Sequence, residues 1–430
     1  MEIHVVAPGE TLYSIAQSYS VPLDRLIQDN GLDPSANLVT GQILIITYPV
    51  LTYMVQEGDT LESIADQYNT TVIQLLRNNP FLADRPSLEP GETLVISYDN
   101  TKGTISTNGY ASTYIPMDVL RRTLPFLTYL SIFGYQLTDD GEIREPEDDL
   151  LRSTAREYHV APIMLLSTLS PQGVGNIETA YRLISNEEIK DTLIRNVLRI
   201  LRRKRFHGVT LNYLYLTEQT LPYYERLAAD MAARLRREGF ELYITIAPLL
   251  KIDNNYITFE RLDYTRLGAI ADQLIVMNYT WGYNYNPPRP VTSVEDMRLF
   301  VEYLVTTIPG NKIAIGIPLL GYVWELPFIL GISRGNTLTI NSSLALADNV
   351  QAAIQFDELS QTPYFTFNDY RFGVPIQYIA WYIDARTIEG FLNLVSEYGL
   401  SGIGLWTINY YDPRIWLIIN TQYQIVTVMP

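Results

Sequence analysis

Residues 8–19 read PGETLYSIAQSY and residues 57–68 read EGDTLESIADQY, so one pattern occurs twice at an offset of 49 residues. In each copy a threonine, Thr11 or Thr60, stands before an apolar run, where its hydroxyl can cap a helix by accepting a bond from a free backbone amide. The apolar residues that follow are spaced i, i+3, i+4 and i+7, which predicts one buried face of a short helix. With a second helix and flanking β runs, each copy is predicted to be a β-α-α-β module.

The repeated string Gly-Asp/Glu-Thr-Leu-x-x-Ile-Ala, with an asparagine after the second helix, resembles the LysM module. The resemblance implies that N-acetylglucosamine (GlcNAc) chains of peptidoglycan or chitin bind between two loops, one ahead of the first helix and one between the second helix and the last strand. On this sequence the loops are Pro8 to Leu12 with Asn30 to Asp33, and Glu57 to Leu61 with Asn79 to Leu82. The sugar-contacting candidates in them are Gly9, Thr11, Asn30, Gly58, Thr60 and Asn79. An alternative stays open, in which the glycines and threonines only build the turn and cap the helix.

Beyond the repeats, short apolar runs alternate with longer amphipathic helical stretches. This alternation predicts parallel strands with crossover helices, and the number of units favours a closed (β/α)8 TIM barrel. Short β-like pieces near the end break the alternation and predict a small α+β insertion. The predicted organisation is a module at 1–49, a module at 50–98, a polar linker at 99–107, and a barrel at 108–430 with its insertion at about 319–380. The candidate barrel strands are Thr128 to Phe133, Ile163 to Ser167, Gly208 to Tyr213, Leu242 to Ala247, Gln273 to Asn278, Lys312 to Ile317 and Gly402 to Trp406.

Segments at the ends of these strands resemble glycoside hydrolase family 18: MNY at 277–279, GIPLLGY at 316–322 and GIGLW at 402–406. The order of two LysM repeats and then this barrel is similar to that of the bacterial spore cortex-lytic N-acetylglucosaminidases. The resemblance implies a GlcNAc-polymer site at the carboxyl ends of the strands, where TIM barrels carry their sites, with Trp406 as the floor of one sugar subsite. The sugar-contacting candidates in the barrel are Asn212, Tyr279, Trp281 and Trp406, with Tyr213, Tyr215 and Trp324 as further aromatic residues near the mouth.

The catalytic motif of the family is where the sequence departs from it. Family 18 enzymes carry Asp-x-Asp-x-Glu at the end of the fourth strand, where the Glu protonates the leaving oxygen and the inner Asp orients the acetamido group of the substrate, which acts as the nucleophile. Here Thr210 and Asn212 stand at the two Asp positions and Leu214 stands at the position of the acid. Leucine has no proton to donate, and general acid catalysis contributes roughly 10²–10⁴-fold. The sequence therefore predicts a catalytically silent barrel with no catalytic residue, although Tyr279 is retained.

Other charged residues have structural explanations that are stronger than catalytic ones. Asp384 is expected to cap the helix that follows it or to orient Arg386. His207 precedes the fourth strand, at the end of the barrel opposite to the site. The basic run from Arg195 to Arg205 follows a predicted helix and its end, where cations are favoured, and is expected to be a solvated face.

Composition excludes several other classes of function. The balance of 31 basic and 47 acidic residues gives a net charge of −16, which argues against a nucleic-acid binder because that function needs clustered cations. The chain has no cysteine and three histidines, none within four residues of another, so neither a metal site nor a cofactor is expected. The first residues lack the basic start and apolar run of a signal peptide, and no apolar stretch approaches the roughly 20 residues that span a bilayer.

The leading hypothesis is a carbohydrate-binding protein of the bacterial spore coat or cortex, made without a signal peptide. Its ligand would be peptidoglycan or a chitin-like glycan, and spore-coat proteins are further candidate partners. The first alternative is an active N-acetylglucosaminidase that cleaves cortex peptidoglycan fragments during germination. The second is a structural coat protein that binds only protein partners. A cell-wall or extracellular location remains the alternative to the spore.

Overall fold

Two small modules precede a closed barrel in the computed structural model of the chain. It describes residues 1–35, 37–83, 85, 87–167, 177–213, 216–248, 250–253, 256–277 and 284–429, with the backbone alone at 177, 250–253 and 256–258. The predicted fold class, two β-α-α-β modules followed by a (β/α)8 barrel with an α+β insertion, is confirmed. Within these ranges, no helix combines the length and the apolar character that a bilayer span requires.

Each module pairs two antiparallel strands and packs two helices against them. The elements are β1 (Glu2–Val5), α1 (Leu12–Tyr19), α2 (Leu23–Asn30) and β2 (Ile43–Ile46) in the first module, and β3 (Leu51–Met54), α3 (Leu61–Tyr68), α4 (Val72–Asn78) and β4 (Thr93–Ser97) in the second. The predicted caps are formed: the hydroxyl of Thr11 accepts from the amide of Ser14, and that of Thr60 from the amide of Ser63, each at 3.1 Å. Separate apolar clusters fill the two modules, so each has a core of its own.

Eight parallel strands form the barrel, which closes because the last strand pairs with the first. In their order around the barrel they are β5 (Thr104–Ala111), β6 (Tyr129–Leu137), β8 (Ala161–Ser167), β9 (Gly208–Asn212), β10 (Glu241–Ile246), β13 (Gln273–Val276), β14 (Ile313–Pro318) and β20 (Gly402–Trp406). Short strands β7 (Ile143–Arg144) and β21 (Gln424–Ile425) extend the sheet beside β6 and β5, and β11 (Leu250–Asp253) pairs with β12 (Tyr256–Phe259) outside it.

Strand β5 is an element that the pattern of apolar runs does not reveal. It begins at Thr104, inside the segment 99–107 that was predicted as a linker, and its sequence TISTNGYA is polar and contains glycine. The strand forms because β20, β6 and β21 supply backbone partners along it, which outweighs its weak intrinsic preference.

Helices cover the outside of the barrel and bury their apolar faces against the outward side chains of the strands. They are α5 (Met117–Thr123), α6 (Asp149–Glu157), α7 (Ile177–Ser185), α8 (Glu187–Lys204), α9 (Leu221–Arg236), α10 (Thr265–Ile270), α11 (Val294–Val305), α13 (Ala385–Tyr398) and α14 (Pro413–Asn420). Three 3-10 turns lie at Pro80–Leu82, Leu124–Phe126 and Gly310–Lys312.

The insertion between β14 and α13 is a five-stranded antiparallel sheet with one helix packed on it. Its elements are β15 (Gly321–Leu326), β16 (Asn336–Leu338), α12 (Ile340–Asn349), β17 (Gln355–Asp357), β18 (Thr362–Arg371) and β19 (Val374–Trp381), with the sheet order β16-β15-β19-β18-β17. The predicted β pieces near 353–357, 363–368 and 377–382 correspond to β17, β18 and β19.

Both LysM modules pack on the barrel, which settles an arrangement that the sequence leaves open. Ile43 and Ile45 of the first module, and Val95 and Tyr98 of the second, belong to the same buried cluster as the barrel helices. Arg25 joins the two modules to each other, since its guanidinium donates to the carbonyl of Asn78 at 3.1 Å and to the Tyr98 hydroxyl at 2.7 Å.

Candidate functional site

The interior of the barrel is filled by side chains that alternate along the strands. A buried cluster inside the barrel contains Tyr110, Ile163, Leu165, Tyr243, Ile275, Met277 and Ala314, with Tyr129, Phe133 and Trp406 packed against it. Thr210 is in register with Leu165 on one neighbouring strand and Tyr243 on the other, so its side chain belongs to this inner face. Because side chains alternate with period two, Asn212 shares that face one layer closer to the carboxyl end.

The two glycines of the family-like strings make this filling possible. A β-carbon at Gly316 would stand 1.9 Å from the sulfur of Met277, and one at Gly404 would stand 3.0 Å from the ring of Tyr110. The absence of side chains at these two positions therefore lets Met277 and Tyr110 occupy the centre of the barrel. Burial raises the pKa of the Tyr110 hydroxyl, so this group remains neutral.

The inner end of the fourth strand, β9, carries neutral polar groups. Thr210 and Asn212 are both buried, and the Asn212 amide nitrogen donates to the hydroxyl of Ser167 at 3.3 Å. The Asn212 amide oxygen, the Thr210 hydroxyl and the Thr245 hydroxyl have no hydrogen-bond partner in the described part of the chain. Buried polar atoms normally have a partner, so this layer suits an ordered water or a polar group of a ligand.

Trp406 forms an aromatic platform at the carboxyl end of β20. Its ring stacks on Phe133 with centroids 5.0 Å apart and an interplanar angle of 27°, and it lies 5.4 Å from the ring of Tyr110. The indole is partly exposed, whereas Tyr110 beneath it is fully buried. Sequence reasoning missed Phe133 and Tyr110 as supports of this platform. Phe133 ended a predicted strand, but Tyr110 lies on β5, for which no apolar run gave a signal.

Several predicted residues lie outside the described residues. They are Leu214 and Tyr215, which follow β9, and Tyr279 and Trp281, which follow β13. The structure therefore places Asn212 and Trp406 of the four barrel candidates in the mouth, and the placement of Tyr279 and Trp281 stays a prediction.

No carboxylate stands among the last two residues of any of the eight barrel strands, all of which the structure describes. Glu218, the nearest Glu after Asn212 in the chain, is exposed in the turn before α9. Glu241 lies at the opposite end of the barrel, where its carboxylate is 3.3 Å from His207, and hydrogen bonds from His207 and Tyr243 lower its pKa. Neither Glu218 nor Glu241 therefore belongs to the carboxyl-terminal layer of the barrel strands.

Two aromatic residues considered near the mouth have structural roles instead. Tyr213 is buried on the outer side of β9 and packs on Tyr224 of α9, with ring centroids 4.8 Å apart. Trp324 is fully buried in the insertion sheet, against the backbone of Gly335. Neither ring is available for a sugar.

The side chains of the two LysM asparagines are occupied by hydrogen bonds within their modules, and their predicted contacts with sugar stay predictions. The amide of Asn30 donates to the carbonyls of Leu26 and Ile45, each at 2.9 Å, and accepts from the amide of Ile45 at 2.7 Å. Asn79 makes the equivalent bonds to Leu75 and Val95, at 2.8–2.9 Å. Both side chains are buried, so each ties the second helix of its module to the last strand.

The remaining LysM candidates lie on the surface. Gly9 and Gly58 have φ of +82° and +92°, which favours glycine, and a β-carbon at either would meet no neighbouring atom within 4 Å. Thr11 and Thr60 are exposed and cap their helices. These contacts account for the turn and the cap, and the predicted sugar contacts at the four residues stay predictions.

The structural explanations of the other charged residues hold. Asp384 caps α13 by accepting from the amide of Arg386 at 2.9 Å, and it forms an ion pair with the same arginine at 2.7 Å. The basic face of α8 is paired with acids, Arg202 with Glu238 and Arg203 with Glu145. In the described ranges, no group of three or more His, Asp or Glu side chains is arranged to hold a metal ion.

Known proteins resemble the chain along its whole length. The family described as glycosyl hydrolases family 18 matches residues 169–411, and the LysM domain matches residues 4–47 and 53–97. The chain is 30% identical to the cortical fragment-lytic enzyme of Bacillus subtilis (strain 168) over 99% of either chain. The structure superposes on the spore cortex-lytic enzyme SleL of Bacillus cereus with a TM-score of 0.80 and 28% identity, covering 99% of both chains. It superposes on SleL of Bacillus megaterium QM B1551 with a TM-score of 0.80 and 26% identity, covering 99% and 98%.

Proposed function

The chain belongs to glycosyl hydrolases family 18, and on that premise we propose that it binds GlcNAc polymers of the peptidoglycan or chitin type without hydrolysing them. The observation that carries the proposal is the neutral inner end of β9, where Thr210 and Asn212 are buried and carry no charge. We propose that these two residues and Leu214 stand where the family has its acidic residues. The proposed location of the protein is the bacterial spore envelope, because relatives that match 99% of the chain are named for the cortex.

The chemistry of this layer supports binding more than bond cleavage. An amide such as that of Asn212 can hydrogen-bond an acetamido group, but it supplies no negative charge to a cation that develops in the transition state. A missing general acid removes a further factor of roughly 10²–10⁴. A partly exposed indole at Trp406, held from below by Phe133 and Tyr110, offers an apolar face to a pyranose ring.

The LysM modules would supply the second part of the binding surface. We propose that backbone groups around Gly9 and Gly58, beside Thr11 and Thr60, contact the acetamido groups of the glycan. Their open surroundings support this proposal, because a ligand can approach the backbone at both glycines.

An active N-acetylglucosaminidase is the competing function, and a specific observation favours it. The relative with 30% identity over 99% of both chains is named as a lytic enzyme. A chain this similar would most simply keep the same ligand and the same lytic activity. It would require a proton donor among the residues that the structure does not describe, or a reaction that uses another acid.

A protein-binding coat component is a further candidate, favoured by apolar side chains at the free end of the insertion sheet. The exposed apolar residues of the β15–β16 loop and of the end of the β18–β19 hairpin are Ile329, Leu330, Ile332, Tyr370, Phe372 and Val374. Exposed apolar clusters of this kind mark interaction surfaces in many proteins.

One pair of measurements separates the three functions. The full-length protein is incubated with insoluble peptidoglycan and chitin, and the bound fraction and the released fragments are measured, the latter by mass spectrometry. Binding with no release supports the proposal, and clear turnover contradicts it in favour of the lytic enzyme. If the protein binds neither polymer, glycan binding is contradicted and the protein-binding coat function is supported. The full chain is used because each module buries apolar residues against the barrel, such as Ile45 and Val95.

A further inference from the structure

Helix α14 places the two LysM modules at opposite ends of the barrel. It follows β20, so its first residue, Pro413, lies at the carboxyl end of the strands, where the mouth is. Gly31 of the first module packs there, since a β-carbon on it would be 2.7 Å from the Cγ of Pro413. The eight residues of α14 then span about 12 Å toward the other end of the barrel.

The second module sits at that other end. Asn420, the last residue of α14, donates to the Asn78 side chain at 2.9 Å and accepts from Gln74 at 3.3 Å. The buried guanidinium of Arg77 donates to the carbonyl of Pro125, just before β6 begins, and to that of Ile425 at 3.3 Å. All these barrel contacts are at the amino ends of the strands, away from the mouth.

The insertion holds the first module at the mouth side. The amide of Ile354 donates to the carbonyl of Thr40 at 2.9 Å, and the buried side chain of Val39 packs in the cluster of the insertion with Ala347. The loop from α2 to β2, which is one wall of the predicted LysM sugar site, therefore contacts both α14 and the insertion.

The distance between the two predicted sugar sites is bounded by the chain itself. Trp406 in the mouth and Pro413 against Gly31 are seven residues apart, so they are separated by at most about 25 Å even if the segment is fully extended. Gly31 directly follows Asn30 and lies in the predicted sugar-binding loop of the first module. An extended oligosaccharide can cover such a distance.

Two exposed tyrosines belong to the segments that such a glycan would join. Tyr410 lies between Trp406 and Pro413 in the chain and is 63% exposed, and Tyr13, in the first turn of α1 two residues after Thr11, is 66% exposed. At the offset of 49 residues the second module has Glu62 in place of Tyr13. The module at the mouth thus carries an aromatic side chain that the distant module lacks, and aromatic rings suit sugar faces.

We infer that the barrel mouth and the first LysM module bind one glycan chain together, with Tyr410 and Tyr13 along its path, while the second module takes no part in that contact. The inference rests on the proposed glycan binding. The first module is fixed against the barrel. When a glycan binds at one of the two sites, the rest of that glycan is therefore held close to the other site. Linked sites of this kind raise affinity by roughly 10²–10⁴-fold over a single site.

The test is a calorimetric titration of the full-length protein with GlcNAc oligomers of increasing length, from the dimer to the octamer. We expect a steep gain in affinity at the length that reaches both sites. Tyr13→Ala and Tyr410→Ala should each remove most of this gain, and the double variant should lose little more than either single variant. The matched control, Glu62→Ala, should keep the full gain, and thermal unfolding checks that each variant is folded.

The outcomes separate the inference from the proposed function. Affinity that rises smoothly with length, or that falls as much in Glu62→Ala as in Tyr13→Ala, overturns the composite site but leaves glycan binding intact. If no oligomer of any length binds, the proposed function fails, and the inference fails with it.

Discussion

Replacing Asn30 with alanine should destabilise the first LysM module and leave its intrinsic contact with sugar unchanged. The side chain is 2% exposed and makes three hydrogen bonds, to Leu26 and in both directions to Ile45. Each such bond contributes roughly 1 kcal/mol net, so the variant loses about 3 kcal/mol. The amide of Ile45, which donates to the Asn30 side chain at 2.7 Å, is the local reporter.

Native-state hydrogen exchange of the full-length protein measures this effect at the bond itself. A loss of about 3 kcal/mol corresponds to roughly 10²-fold faster exchange, if the Ile45 amide exchanges through opening of the module. Asn79→Ala should do the same to the amide of Val95 in the second module, because its bonds are equivalent. Gln28→Ala, an exposed position on the same helix α2, is the matched control and should leave exchange at Ile45 unchanged.

The opposite pattern would refute the structural role. If Asn30→Ala left exchange at Ile45 at the wild-type rate and abolished binding to chitin oligomers, Asn30 would be a ligand contact. The buried hydrogen bonds would then contribute nothing measurable to the module.

Three further outcomes are expected, two at the barrel mouth and one in the first LysM module. Asn212→Asp with Leu214→Glu should produce detectable muropeptide release by mass spectrometry, since it returns the carboxylate and the proton donor; either change alone should not. Trp406→Ala should weaken binding of a GlcNAc oligomer about tenfold in calorimetry, which corresponds to about 1.4 kcal/mol of aromatic contact. Hydrogen bonds from the Ala7 amide and from His4 lower the pKa of Glu10, so this carboxylate stabilises the first module above its unfolded pKa, and the contribution disappears as the pH falls through the lowered value. Urea unfolding should show this acid loss in the wild type, and Glu10→Gln should remove it.

The two LysM modules show which features the local sequence can predict. Thr11 and Thr60 cap their helices as the pattern predicts, because a cap is a contact between residues three positions apart. Helices α1 and α3 bury the apolar face that the i, i+3, i+4 and i+7 spacing predicts, because this spacing is also a relation between residues close in the chain. The structural role of Asn30 is not visible in the local pattern, since its partner Ile45 is fifteen residues away in the chain.

The barrel shows the limit of the same reasoning. Strand β5 is polar and has no apolar run, yet it closes the barrel because its backbone is paired on both sides. Tyr110, which supports Trp406, lies on that strand and was missed with it. Period-two alternation puts Asn212 and Tyr213 on opposite sides of the chain, but only the tertiary contacts show that Asn212 faces inward and that Tyr213 packs on α9.

Residue identity and short-range spacing give the net charge of −16 and predict the two modules and the barrel. They also predict neutral residues at the family's acid positions. The attachment of the modules along α14, the first at the mouth and the second at the far end, depends on contacts that form only in the folded chain. Pro413 and Gly31 are far apart in the chain, and nothing in the pattern around either residue encodes their contact. Packing between distant surfaces depends on the shape that the whole chain adopts, so the relation between the two predicted sugar sites became visible only in the fold.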